Sequence, residues 1–332
     1  MTQLTTSVIV PVYNGAETLA ACLAALQQQT RPPHEIIVVD DGSTDGTAAV
    51  AAGFGVNLLR QANAGPAAAR NRGAQAAGGE ILLFTDADCV PAPDWVARMV
   101  APFQDPDVVG AKGEYRTRQP GLVARFVQQE YQDRYDRMAG RDRIDFVDTY
   151  AAAYRRQAFL ASGGFDSSFP TASVEDQELS FRLAARGCRL VYVPGAVVYH
   201  RHDRSVGEYA RRKYWIGFWK ARVTRRYPAK LAHDSHTPPS LKLQLGLAGL
   251  GAGGLGLGLL RRQPNLARAG LLAWLLLLLS GAGLYRQIWQ RDPAVLPVAP
   301  ALVWVRAWAL GWGFLHGNLH LMGGRFKGNS PF

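Results

Sequence analysis

Apolar and polar positions along the first part of the chain repeat as a unit. SVIVPV (residues 7–12) is short, apolar and β-branched, and is followed by Tyr13-Asn14-Gly15 and then an Ala/Leu pattern with helical spacing through Gln29. This predicts strand, turn and helix. EIIVVD (35–40) leads into the turn Asp41-Gly42-Ser43-Thr44 and a helix from about Asp45. GVNLLR (55–60) precedes a helix from Pro66 to Ala77, and GEILLFTD (79–86) is a fourth strand. Strands that are apolar throughout and alternate with helices predict a parallel sheet covered on both faces, a doubly wound α/β domain. Beyond Val109 the pattern loosens, to a helix over Leu122–Met138, a strand near Phe146–Tyr154, a helix from Glu175 to Arg186, and a closing strand pair, RLVYV and AVVYH. Ligands of such sheets sit outside the carboxyl ends of the strands. Asp40, Asp41, Asp86 and Asp88 fall at such ends.

The pattern changes after Ser235, where the linker His236-Thr237-Pro238-Pro239-Ser240 opens into Leu-, Gly- and Trp-rich sequence. Leu243–Leu260 carries no charge and has small residues four apart at Gly249/Gly253 and Gly254/Gly258; Ala269–Tyr285 is Leu-rich. Both reach the ~17–25 residues that a membrane span needs. A third stretch, Val298–Leu315, holds Arg306 near its middle. A mid-membrane Arg costs ~2.5–3.5 kcal/mol on insertion scales, so this stretch is either a span packed by protein or an interfacial helix. The expected organisation is a catalytic domain over 1–203, a basic aromatic interfacial region over 204–235, and a membrane-associated region over 236–332 with hydrophobic segments at about 243–260, 269–285 and 298–315. If the Gly-rich segment crosses completely from a cytoplasmic first domain, Arg261, Arg262 and Arg268 lie outside, against the positive-inside rule. A re-entrant or surface-lying segment removes that conflict.

Charge sharpens the picture. The 332 residues carry a formal net charge of +11, concentrated from Arg204 to Lys230, where Glu208 is the sole acid. Tyr209, Tyr214, Trp215, Trp219 and Tyr227 interleave with these cations, and apolar sequence follows, which favours an anionic membrane surface over nucleic acid. Tyr209, Ile216, Trp219, Val223 and Tyr227 share one side of a helical wheel, read as an interfacial collar in preference to a helix packed on protein. Cys22, Cys89 and Cys188 are scattered, with no C-x-x-C pair, which suggests neither a disulfide framework nor a zinc site. The N-terminus lacks the pattern of a secretory signal, so the first domain is expected in the cytoplasm.

Asp86-Ala87-Asp88 presents two carboxylates one residue apart at a strand end, where they can offer oxygen ligands to Mg2+ or Mn2+. A solvated turn capping the next helix is the structural alternative. Asp41 ends a neighbouring strand, where a carboxylate can accept hydrogen bonds from a base or ribose, or simply cap a turn. Glu175-Asp176-Gln177-Glu178 opens a helix, and Asp176 is placed to deprotonate an acceptor hydroxyl; an acidic first turn also suits the helix dipole. His200 ends the last strand as a third metal ligand, a diphosphate contact or a structural residue. No G-x-G-x-x-G follows the first strand and no Walker sequence occurs, which sets aside dinucleotide and P-loop chemistry.

SVIVPVYNGAETL, IIVVDDGSTDGT, NAGPAAARNRGAQAAGGEILLFTDADCV, GGFDSSF, EDQELSFRLAARG and VVYH occur in the order seen in family 2 glycosyltransferases, which the chain resembles over residues 6–202. The resemblance implies a GT-A (Rossmann-like) fold, an inverting mechanism and a nucleotide-sugar donor. It implies that Pro11, Tyr13 and Asp41 border the nucleotide, that Asp86 meets ribose or metal, and that Asp88 is the principal metal ligand. It further implies that Asp176 is the catalytic base, that Glu175 supports it or touches acceptor, and that His200 closes the metal or diphosphate site. No Gln-x-x-Arg-Trp follows the acidic motif, which favours transfer of a single sugar over polymerisation. The region after His200, with its basic aromatic helix and apolar tail, resembles that of succinoglycan-type exopolysaccharide transferases. The expected acceptor is a polyprenyl-linked or other glycan, with membrane lipid as partner and an inner-membrane location, the catalytic domain cytoplasmic. A polyprenyl-phosphate sugar synthase and a catalytically silent nucleotide-sugar-binding protein are the alternatives.

Overall fold

The computed structural model describes residues 4–169, 174–232 and 234–322. The strands are β1 (Thr6–Val12), β2 (Glu35–Asp40), β3 (Asn57–Arg60), β4 (Ile81–Phe84), β5 (Val90–Pro91), β6 (Val108–Arg116), β7 (Ala152–Arg155) and β8 (Arg189–Tyr199). The helices are α1 (Ala16–Gln27), α2 (Thr47–Gly53), α3 (Pro66–Ala76), α4 (Trp95–Val100), α5 (Leu122–Met138), α6 (Arg156–Ala161), α7 (Glu175–Ala185), α8 (Val206–Arg226), α9 (Ala229–Ala232), α10 (Pro239–Leu260), α11 (Pro264–Leu279), α12 (Ala282–Arg291) and α13 (Ala299–Met322). They form two compact units, 4–118 with 138–201, and 119–137 with 202–322.

The first unit is built on one eight-stranded sheet in the order β3-β2-β1-β4-β7-β6-β8-β5. The expected parallel run holds from β3 to β4. Beyond it the sheet is mixed, because β7 pairs antiparallel with both β4 and β6. Every residue of β1 is buried, and Val8, Ile9 and Val10 are 0% exposed, each worth ~1.5–3 kcal/mol on full burial. The small residues of α3 let it press close to the sheet: a Cβ at Gly73 would stand 2.5 Å from Ile9 Cγ2.

Two local expectations are corrected. The strand placed over Phe146–Tyr154 is confined to Ala152–Arg155, preceded by a 3-10 turn at Thr149–Ala151. The proposed pair RLVYV and AVVYH is the single strand β8, whose register against β6 slips between Lys112↔Tyr192 and Glu114↔Val197. Gly195 sits in the slip at φ +80°, a conformation costly for residues with a Cβ, and its N–H donates to Glu114 Oε1 at 3.0 Å.

Among the described residues of the second unit, three helical stretches are long and apolar enough to cross a membrane: Pro239–Leu260, Pro264–Arg291 (α11 with α12) and Pro293–Met322, which ends in α13. α10 and α11 pack through small residues, where a Cβ at Gly258 would stand 2.4 Å from Ala267 N and one at Gly254 3.0 Å from Gly270 Cα. The other spacing read from sequence does not pack, since a Cβ at Gly249 or Gly253 meets nothing within 4 Å. A closer contact joins α8 to α13: Cβ atoms at Gly313 and Gly317 would lie 2.0 Å from Tyr214 O and 2.2 Å from Phe218 O. The collar reading of α8 is met only by part of its face, since Ile216 and Tyr227 are half-buried and the other three residues are buried. Tyr209, Trp219 and Val223 are buried at 0%, 7% and 1% exposure, because their face packs against protein. Arg306 is buried as well, donating to Glu130 Oε1 at 2.6 Å and Gln244 Oε1 at 2.8 Å, which offsets its desolvation.

Candidate active site

The crossovers diverge between β1 and β4, since β2 and β3 lie to one side of β1 and β4 to the other. A cleft opens at such a switch point. Tyr13 follows β1 there and is 53% exposed, while Pro11 is buried within the strand. The DDGSTDGT loop serves the fold at this end: Asn14 N donates to Ser43 Oγ (2.9 Å), Gly15 N to Thr47 Oγ1 (2.9 Å) and Ala16 N to Asp45 Oδ2 (3.1 Å). Asp41, 3% exposed, accepts from Gln61 Nε2 (2.7 Å), Ala64 N (2.9 Å) and Gly65 N (2.8 Å), and so fixes the turn into α3.

Asp86-Ala87-Asp88 leaves β4, and the chain at once enters β5, which pairs Val90↔Tyr199 with the end of β8. That short antiparallel pairing sets residues 88–89 beside 200. Asp88 Oδ2 and His200 Nε2 are 3.0 Å apart, and the His200 ring stacks on Tyr115 at 4.6 Å. Burial would raise the Asp88 carboxyl, but the hydrogen bond and charge of His200 outweigh it and hold it below the usual value. Ligand atoms of Asp88, Cys89 and His200 lie within 4.8 Å of one another. Burial drives the Cys89 thiol well above its ordinary range, so it stays protonated and is a poor ligand. The remaining carboxylate and imidazole fit a hard or borderline divalent cation such as Mg2+ or Mn2+.

Asp86 and Glu175 are brought together by a residue that the sequence reading missed. Arg70, on α3, donates from one guanidinium nitrogen to Asp86 Oδ1 (2.8 Å) and from the other to Glu175 Oε1 (2.9 Å). Its side chain is 3% exposed, as is that of Glu175, against 28% for Asp86. The signal was present, since Arg70 interrupts the small, buried face of PAAARNRGAQA.

Asp176 is half-buried at the start of α7. Ser180 anchors this turn, donating to Asp176 O at 2.7 Å and accepting from Val147 N at 3.0 Å, which draws Asp148 near. Loss of water, then the charges of Glu175 and Asp148, push the Asp176 carboxyl well above the ordinary range, with Arg70 pulling the other way. Asp148 is itself held by buried Lys112 and by Tyr150 OH at 3.0 Å. A carboxyl raised toward neutrality is suited to take a proton from a hydroxyl.

The site thus combines a carboxylate and imidazole for a cation, a braced acidic pair and a basic carboxylate at one end of a doubly wound sheet. Residues 7–162 match the family model described as Glycosyl transferase family 2. The chain belongs to glycosyltransferase family 2. This glycosyltransferase is 29% identical over 225 residues to glycosyltransferase AglE of Haloferax volcanii, a match spanning 64% of this chain and 71% of that protein. It is 30% identical over 236 residues to a pre-mycofactocin glycosyltransferase of Mycobacterium tuberculosis, covering 68% of this chain and spanning about half (49%) of that relative's length. Among solved structures it superposes on the mannosyltransferase PcManGT of Pyrobaculum calidifontis, in complex with GDP-Man and Mn2+, with TM-score 0.57 and 22% identity over 97% of this chain and 88% of that one. The shared fold is GT-A, as expected.

Proposed function

We propose that this glycosyltransferase moves a single sugar, with inversion, from a nucleoside-diphosphate sugar to a hydroxyl of a membrane-presented, polyprenyl-linked glycan acceptor. The observation that carries the reading is the convergence of the Asp88–His200 pair with Asp86 and with Glu175, the neighbour of Asp176, through the Arg70 bridge. Asp88 and His200 would hold the cation, with Asp86, whose Oδ1 accepts from Arg70, as the further expected ligand. A divalent ion bound there offsets negative charge on the departing diphosphate. Pro11, Tyr13 and Asp41 border the nucleotide. Asp176 takes the acceptor proton as the hydroxyl attacks the anomeric carbon, and Glu175, held by Arg70, fixes the start of α7.

The solved mannosyltransferase that shares the fold holds GDP-Man and Mn2+, which supports a nucleotide-sugar donor and a divalent metal. Three apolar helices among the described residues support an acceptor presented by a membrane; the reading places the catalytic unit on the cytoplasmic face of the inner membrane. A panel of nucleotide sugars with polyprenyl-linked glycans tests the reading. Transfer should require Mn2+ or Mg2+ and fall by at least a hundredfold in Asp88→Ala and Asp176→Asn. Wild-type rates in either variant sink it.

A further inference from the structure

The second unit holds a cluster of buried charge with no part in the reaction just described. α5 and α8 run side by side in the same direction: the Phe126 ring meets that of Tyr209 at 6.0 Å, and one turn on, Glu130 receives Lys213 Nζ at 2.9 Å. Glu130 is fully engaged, because Arg306 (2.6 Å) and the Tyr209 hydroxyl (3.0 Å) also donate to it. Neighbouring carboxylates are taken too. Asp133 receives Arg137 (2.7 Å) and Asp203 receives Arg212 (2.6 Å), while Asp234 accepts the backbone N–H groups of His236 and Thr237 on Oδ1 and is shared between the charges of Lys242, an ion pair at 3.3 Å from Oδ2, and Lys220.

Two cations on this face are left over. Arg134 stands one turn beyond Glu130 on α5, and Lys220 two turns beyond Lys213 on α8. Both are half-buried, and neither makes an ion pair among the described residues. Arg134 lies over the Tyr131 ring at 5.2 Å, and Lys220 Nζ donates only to Thr237 Oγ1 at 3.0 Å. The Glu130–Lys213 contact sets the two helix faces that carry them against each other. Burial pushes the Lys220 pKa down to about 8, with Asp234 pulling it up and Arg134 and Lys242 adding to the fall. Like charges brought together out of water are unfavourable unless an anion joins them.

The position says which anion. Thr237 lies two residues before α10, the first apolar helix, so the two cations stand where a chain entering a bilayer meets head groups. A guanidinium fork and an ammonium on adjacent helices suit the several oxygens of a diphosphate, and basic pockets beside spanning helices take phosphorylated head groups. We propose that Arg134 and Lys220 bind the diphosphate of an isoprenoid lipid, the carrier of the acceptor glycan. This rests on the reading of the acceptor as polyprenyl-linked.

The test uses the full chain in nanodiscs with farnesyl diphosphate as probe. Wild type should bind it saturably, and Arg134→Gln/Lys220→Gln should weaken binding at least tenfold, with Mn2+ affinity and melting temperature kept and Lys220→Arg binding like wild type. Unchanged affinity in the double variant, or no binding to wild type, overturns the proposal. So does equal competition by inorganic diphosphate, which marks a soluble-ion site, or by phosphatidylglycerol vesicles, which marks general head-group contact. The two readings fail separately. Arg134- and Lys220-dependent lipid binding without sugar transfer sinks the reaction and leaves the site, whereas transfer to a polyprenyl acceptor at unchanged KM in the double variant sinks the site and leaves the reaction.

Discussion

Arg70 is the residue whose loss should tell most about this site. Its guanidinium, 3% exposed, bridges Glu175, equally buried, and Asp86, 28% exposed. Arg70→Ala leaves Glu175 as a buried charge without its cation, whereas Asp86 can recover water on its open side. Breaking a buried pair by removing one partner costs about 3–5 kcal/mol, most of it here from Glu175. Arg70→Lys keeps the charge but cannot span both carboxylates, and losing one charge-assisted bond costs ~1.5–3 kcal/mol. At roughly 2–4 °C per kcal/mol, Arg70→Ala should melt on the order of 10 °C lower.

Calorimetry of the full chain in detergent measures this, and Glu175→Gln added to Arg70→Ala should recover more than half of the loss. A second readout comes from Asp176, whose carboxyl Arg70 draws downward. Without Arg70 the acidic limb of the kcat/KM profile should move to higher pH. A fall of less than about 1 kcal/mol, no recovery with Glu175→Gln, or an unmoved acidic limb refutes the reasoning.

Asp176 should set that limb in the wild type: as a base it works deprotonated, and its raised pKa makes kcat/KM climb with pH from above the ordinary aspartate range. The same shift has a stability sign. The folded state keeps the proton longer than the unfolded state, so stability present at low pH is lost, by ~1.4 kcal/mol per unit, as pH rises from the ordinary aspartate value through the folded pKa. Denaturation at neutral pH should therefore find Asp176→Asn more stable than wild type, with the difference gone in acid. His200→Ala should weaken Mn2+ binding, read by electron paramagnetic resonance, at least tenfold while leaving the melting temperature within a few degrees. Glu130→Ala strands Lys213 and Arg306 among apolar helices and should cost about 3–5 kcal/mol by thermal melting, with Glu130→Gln milder. Gly313→Leu drives a side chain into the Tyr214 carbonyl and should lower the yield of folded protein in detergent.

What could be read from the sequence divides along a physical line. β1 through β4 were legible because each is a continuous apolar run ending in a turn, and that pattern needs only local chemistry and two-sided burial. The ends of those runs also exposed Asp86 and Asp88. Arg70 shows in the sequence only as an arginine set into the small face of α3; its role does not, because that depends on a fold that sets Asp86 and Glu175 on either side of it. The single strand β8 was read as two because Pro194-Gly195 looks like a turn; only the slip against β6, with Glu114 holding Gly195, turns it into a bulge.

The aromatic face of α8 shows the limit most clearly. A helical wheel establishes that Tyr209, Trp219 and Val223 share a side, but an apolar stripe is equally suited to lipid and to protein. The glycines decide it. With hydrogen alone at Gly217, Gly313 and Gly317, α8 and α13 approach until backbone meets backbone, and Tyr209, Phe218 and Trp219 of α8 are buried against protein while Tyr214 and Trp215 stay half-buried. Spacing by fours at Gly249/Gly253 and at Gly313/Gly317 looks the same in sequence, yet only the second pair has a helix against it. The charges follow the same rule: Arg306, costly in lipid, and Lys213, apparently a surface cation, become compatible with burial because α5 supplies Glu130 from a distant part of the chain. α5 thus supplies the carboxylate that lets Arg306 and Lys213 be buried in a unit packed through α8 on α13 and α10 on α11, and Arg134 and Lys220 stay without an ion-pair partner among the described residues.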